Sequence, residues 1–280
     1  MLETHGMTIA NQAGITHQQV EAVRSLLDAG ATIPFIARYR KEKTGSLDEV
    51  VLSEIRDGMA RLAALDSRRQ AILKSLEEQN VLTAGLHSSV ESAATLTALE
   101  DIYLPYRPKR RTRATMAKEK GLEPLAELIL AQEVADPSHE ALAFVNMEKG
   151  VGSVEDALAG ARDIIAEWVN EDTQARQIIR RLLYREGIIQ SSVIKGKEGE
   201  GIKYSNYFDW REPVARVPSH RILAMLRGEN EGFLKLKIRP SQEKALSFLH
   251  RRFVKSTGAA SAQVVLAVED GYLRLLASSI

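Results

Sequence analysis

Apolar residues recur at three- and four-residue spacing through most of the chain, the period of helices that bury one face. Ile15, Val20, Val23, Leu26 and Leu27 make the first clear stripe. Thr16 and Gln19 stand in capping-box spacing at its start, and Gly30 is placed to stop it. A second short helix is predicted within Ile33–Gly45, with Pro34 suited to its first turn. There Ile33, Phe35, Ile36 and Tyr39 are expected in the core, which leaves Arg38, Arg40, Lys41 and Lys43 around the exposed side. Two short helices with a glycine between them outline a helix-turn-helix-like element. Ser46 with Glu49 is expected to cap a long spine helix over about residues 48–79, with Leu52, Ile55, Met59, Leu62, Leu65, Ile72, Leu73 and Leu76 on its packed stripe. Gly58 is its soft point.

Thr83 opens a shorter helix, and Thr97 with Glu100 is expected to cap the next. Pro124, Asp136 and Ser153 each begin another. In the last of these Val154, Ala157, Leu158, Ala161, Ile164, Ile165, Trp168 and Val169 keep the helical period throughout, so Trp168 is expected to be buried. Asp172 can cap a following helix built on Ala175, Ile178, Ile179, Leu182 and Leu183. Its Arg176, Arg180, Arg181 and Arg185 are expected on the outer side. After Gly187 the period changes. Leu234, Leu236 and Ile238 alternate with Lys235, Lys237 and Arg239, which predicts a strand, and a second short piece is expected near Val193. Tyr204, Tyr207, Phe208 and Trp210 read as a compact aromatic core. Ser241 and Ser261 begin the last two helices. The fold class is therefore all-α, mostly helical, with strand limited to short pieces near 193 and 234–238. Three parts are expected: a helical unit with the spine at 1–96, a second helical unit at 97–190, and a mixed segment at 191–280.

Charge adds one feature that periodicity does not show. The 38 basic and 37 acidic residues leave a net charge of +1, so any affinity for a polyanion must come from local patches. The densest patch is the stretch Leu104–Arg113. No acid lies between Asp101 and Glu119, while Arg107, Lys109, Arg110, Arg111, Arg113 and Lys118 fall in that window. Pro105 and Pro108 oppose continuous helix, because each lacks an N–H and drives its predecessor towards extended backbone. A basic arm on an apolar base of Leu99, Ile102, Tyr103 and Leu104 suits a phosphate backbone, and it is also how a solvated surface loop looks. Arg38, Arg40 and Lys41 are a further candidate contact set.

Candidate chemistry is sparse. The six histidines show no His-x-x-x-His or His-Glu-x-x-His spacing, and no Gly-x-Ser-x-Gly elbow occurs. Lys195–Gly201 lacks the spacing of a phosphate-cradling loop. His220 reads as a capping or packing residue. No catalytic site, metal, cofactor or small-molecule substrate is expected. The absence of cysteine excludes disulfides and thiolate chemistry and fits a reducing cytoplasm. No apolar run approaches a membrane span and the N-terminus lacks a signal-peptide pattern, so a cytoplasmic location without membrane contact is expected.

Three separated segments carry a family resemblance. Ile33–Gly45 (IPFIARYRKEKTG), Leu99–Arg113 (LEDIYLPYRPKRRTR) and Pro218–Leu234 (PSHRILAMLRGENEGFL) resemble signature segments of the Tex family of bacterial transcription accessory proteins. The resemblance implies an all-helical N-terminal region with a helix-turn-helix-like element, in a longer protein that continues into RNase H-like, helix-hairpin-helix and S1 domains. The last of these is where the family's main nucleic-acid binding is placed. It implies nucleic acid, RNA or DNA, and the transcription machinery as partners. Two functional readings stand at this point: a part of a nucleic-acid-binding transcription factor that adds phosphate contacts through its arm, and a protein-interaction scaffold that binds no nucleic acid itself.

Overall fold

The computed structural model describes residues 2–108 and 111–280. Its chain divides into two compact units, one ending at Tyr103 and the other running from Leu104 to Ile280. Among the described residues no helix is long and apolar enough to cross a membrane.

The first unit is built from α1 (Leu2–Ala13), α2 (His17–Asp28), α3 (Ile33–Tyr39), α4 (Lys41–Thr44), α5 (Glu49–Glu78), α6 (Ala84–Ser92) and α7 (Leu96–Tyr103). The expected capping box opens α2: Thr16 accepts the Gln19 N–H, and the Gln19 side chain accepts the Thr16 N–H. Ile9, Val20, Val23, Ile36, Leu52 and Ile55 close the core where α1, α2, α3 and α5 meet. Gly58 lies where α1 crosses the spine. A Cβ there would sit 3.3 Å from Ile9 Cγ1, so the glycine makes room for that crossing. Further along α5, Ile72 and Leu76 are buried, as are Val90 on α6 and Leu99 on α7. The Tyr103 hydroxyl and Ser75 Oγ are 2.9 Å apart.

Three local expectations fail in this unit, each for a physical reason. Phe35 and Tyr39 are 39% and 62% exposed. Ile33, Ile36 and Ala37 take the buried face at i, i+3 and i+4, which sends positions 35 and 39 outward. The two rings meet each other instead, 5.4 Å apart, and the Arg40 guanidinium lies 5.1 Å from the Phe35 centroid. Asp48, rather than Ser46, caps α5 by accepting the Val51 N–H at 2.9 Å, since Ser46 has a left-handed φ of 63°. Thr95, rather than Thr97, accepts the first-turn N–H of Ala98 at 3.1 Å in α7, and Glu100 pairs with Arg68.

In the second unit the helices are α8 (Arg113–Glu119), α9 (Glu123–Ala131), α10 (Pro137–Leu142), α11 (Val154–Glu171), α12 (Thr173–Glu186), α13 (Ser219–Asn230), α14 (Gln242–Phe253), α15 (Ala259–Asp270) and α16 (Ala277–Ser279). Helix α11 is the centre: α8, α9, α10, α12 and α15 all pack on it. Its Ala157, Ala161, Ile164, Ile165 and Val169 are buried in one cluster with Leu125, Ile129, Val264 and Val268. A π-helical turn over Gly271–Leu276 follows α15. A Cβ on Gly271 would approach the Ala166 carbonyl oxygen to 2.9 Å, so glycine is what lets this turn touch the backbone of α11. Trp168 is only half-buried, packed against the rim of the cluster with the Lys118 ammonium 5.6 Å from its ring. Arg176 was expected outside and is 6% exposed. Its guanidinium donates to the Asn170 carbonyl at 3.2 Å and to the Ser279 carbonyl at 2.9 Å, tying α12 to the C-terminal helix.

Three antiparallel strands, β1 (Ile188–Val193), β2 (Asp209–Pro213) and β3 (Leu234–Arg239), form a small sheet in the order β2-β1-β3. The strands near 193 and 234–238 are where the alternation put them. Strand β2 was not anticipated, because Asp-Trp-Arg-Glu-Pro carries one apolar side chain and reads as an aromatic loop. Helix α13 lies against β3, with Gly228 facing Leu234 and Tyr204.

Candidate nucleic-acid interface

The basic stretch begins with a single 3-10 turn, Leu104–Tyr106, which lies against α11. Two prolines deny this segment the N–H groups of a continuing helix. The far end is fixed by Thr112. Its Oγ1 accepts the Thr115 N–H at 3.0 Å, its own N–H donates to Thr115 Oγ1 at 2.7 Å, and its hydroxyl donates to Glu167 Oε1 at 3.1 Å. Glu167 is a carboxylate on α11 that is 7% exposed. Ala114 and Ala117 are buried where α8 meets α11, and their small side chains let the helices approach closely.

On this base the cations point outward. Arg107, Arg111 and Arg113 are exposed, and Lys109 and Arg110 lie outside the described residues. Arg111 is 3.4 Å from Glu119, a pair so exposed that it contributes about 1 kcal/mol at most. Arg107 makes no ion pair among the described residues. Arg113 occupies the first position of α8, where a cation meets the positive end of the helix dipole. The carboxyl of Asp163 on α11 is held above its usual range by burial, an effect opposed first by Arg274 and then by Arg113 and Arg162. Lys118 is largely committed, with Glu123 at 2.6 Å and Trp168 beneath it.

The second candidate set lies in the first unit. Arg38 and Lys41 are exposed, while Arg40 is half-buried, stacks over Phe35 and donates to the Tyr39 carbonyl at 3.0 Å. The exposed side of α3 therefore carries two aromatic rings that the sequence had assigned to the core, one of them under the Arg40 guanidinium.

Elsewhere, a groove of about 580 Å³ runs between α12 and α14. Ile178, Leu182 and Phe248 line it, with Arg181, Arg185 and Lys244 at its edges. Among the described residues no three histidine or carboxylate side chains converge as a metal set.

Comparison with known proteins identifies the sequence context. Residues 3–77 match the Tex-like protein N-terminal domain, and residues 132–268 match the Tex central region-like family. The chain is 44% identical over 258 residues to the transcriptional accessory protein Tex of Neisseria gonorrhoeae, covering 89% of this chain and 34% of that protein. It is 46% identical over 230 residues to protein YhgF of Escherichia coli K12, covering 82% of this chain and 30% of that one. The human S1 RNA-binding domain-containing protein 1 is 28% identical over 216 residues, or 74% of this chain and 21% of its own. The chain spans about a third of the length of the bacterial relatives it matches. The basic arm falls between the two matched family segments.

Proposed function

This chain belongs to the Tex family, and on that footing we propose that it acts within a transcription accessory factor as a helical scaffold that contacts nucleic-acid phosphates through its basic arm. One observation supports this above the rest. Arg107, Arg111 and Arg113 stand exposed on a segment pinned through Thr112 to the buried Glu167, so the fold holds cations outward with little acid to meet them. Anchored cations lose less freedom when a phosphate arrives than cations on a free tail would. The exposed side of α3 and α4, with Arg38, Arg40 and Lys41, is a second contact set in the manner of a helix-turn-helix-like element. Such a role requires no catalytic group, cofactor or small-molecule substrate, belongs in the cytoplasm, and brings RNA or DNA and the transcription machinery as partners.

The groove between α12 and α14 favours a second reading, a protein-interaction scaffold whose arm meets acidic partners or further domains. Salt dependence separates the two. Each phosphate contact releases condensed counterion, so log K falls with log salt by about 0.7 per contact on single strands and about 0.9 on duplex. In the Arg107→Gln, Arg111→Gln, Arg113→Gln variant the slope is expected to flatten by about 2 on single-stranded RNA, with an unchanged thermal midpoint. Preference among sequences is expected to stay the same, because phosphate contacts position a protein without reading bases. Equal slopes for variant and wild type would favour the scaffold.

A further inference from the structure

The pairing of the small sheet collects residues that lie far apart in sequence. Gln190 on β1 is opposite Arg211 on β2 and Lys237 on β3, and Ser192 is opposite Asp209 and Lys235. Ile188 is opposite Pro213 and Arg239. Residues directly opposite share a face, and alternate residues along a strand return to it. One face of the sheet therefore carries Arg211, Lys235, Lys237 and Arg239 against the single strand carboxylate of Asp209. All four cations are exposed, and none makes an ion pair among the described residues.

The neighbouring acids are committed elsewhere. Glu212 points to the opposite face and meets Arg221 at 3.2 Å, and Glu231 meets Lys203 at 2.6 Å. Glu229 accepts the Leu236 N–H at 2.9 Å and so occupies an edge donor of β3. Of the apolar side chains, Ile188 and Pro213 share this face at its Arg239 end, while Ile189 and Leu234 are buried on the opposite face, with Trp210 beneath Arg221 at 4.9 Å. Among the described residues the three strands place no aromatic side chain on the basic face, so they supply it neither the anchor that carries protein–protein interfaces nor a ring on which a base could stack. What it offers is a row of cations on rigid backbone. Lys235 and Lys237 are one strand repeat apart, about 6.6–6.8 Å, and Arg211 lies two strands away.

We propose that this face of the β2-β1-β3 sheet is a second phosphate-contacting surface, which binds the backbone of a single nucleic-acid strand without reading its sequence. The inference deepens the nucleic-acid reading above and rests on it, but its residues are separate from the arm. Periodicity in β3 showed the alternating cations, and only the register with β1 and β2 adds Arg211 to them.

The test is an anisotropy titration of the 280-residue chain with labelled mixed-sequence single-stranded RNA, between about 50 and 200 mM salt. The Arg211→Gln, Lys235→Gln, Lys237→Gln variant is expected to lose about 2 from the slope of log K against log salt, at about 0.7 per contact. A charge-keeping variant, Arg211→Lys with Lys235→Arg and Lys237→Arg, is expected to keep the wild-type slope, which separates charge from damage to the strands. A wild-type slope in the Gln variant, with a reduced one in the arm variant, would overturn the sheet surface and leave the arm reading standing. The reverse pattern would overturn the arm and support the sheet. Equal loss in the Gln and charge-keeping variants would overturn phosphate contact. Polyglutamate binding as tightly as RNA through the same three residues would overturn a nucleic-acid partner in favour of an acidic protein.

Discussion

Replacing Ile55 by proline is expected to destabilise the first unit by about 3 kcal/mol or more. Ile55 lies inside α5 and is fully buried in the cluster where α1, α2 and α3 meet the spine. Proline there removes the N–H that bonds to residue 51 and drives its ring against that carbonyl. It also deletes an apolar side chain for which the surrounding residues have no substitute. The expected readout is a loss of helical signal at lower denaturant than wild type. An unchanged midpoint would mean that α5 is not the continuous spine around which the first unit is organised.

In the second unit the largest expected effect is at Ile164, which is fully buried in the middle of α11. Ile164→Ala is expected to cost about 2–5 kcal/mol, combining lost transfer free energy with the cavity left behind. The upper part of that range is the expectation here. Helix α11 is packed by α8, α9, α10, α12 and α15, and Gly271 already brings the turn after α15 onto its backbone, so little can collapse inward. Denaturant midpoints of wild type and variant measure it, and a loss under about 1 kcal/mol would show that the site relaxes or is not closed.

The helices of both units were legible where one stripe sufficed to bury them. Helix α11 is the clearest case, since eight apolar positions keep one period and all but Val154 and Trp168 are buried in the cluster of the second unit. The caps at Thr16, Thr83, Asp136, Ser153 and Asp172 were legible for the same reason: a cap is a contact over two or three residues. What failed depends on distant partners, on which face is chosen, or on which of two nearby polar residues takes a cap, as Asp48 does over Ser46 and Thr95 over Thr97. Arg176 reads as a solvated arginine until Ser279, a hundred residues later, supplies its acceptor. Phe35 and Tyr39 read as core because aromatic character is visible in sequence and the direction of a two-turn helix is not. Strand β2 has almost no pattern of its own and exists through its register with β1. The basic arm was visible as charge, while its fixation by Thr112 and Glu167 was not, because the two are 55 positions apart.

The most direct measurement of the central claim is the salt dependence of RNA affinity for the unaltered chain. Five arm cations, Arg107, Lys109, Arg110, Arg111 and Arg113, would together give a slope of about −3.5 in log K against log salt on a single strand. Any contribution from the sheet face makes it steeper. The account predicts binding at low salt that weakens at least this steeply as salt rises. Absent binding at low salt, or an affinity indifferent to salt, would contradict it.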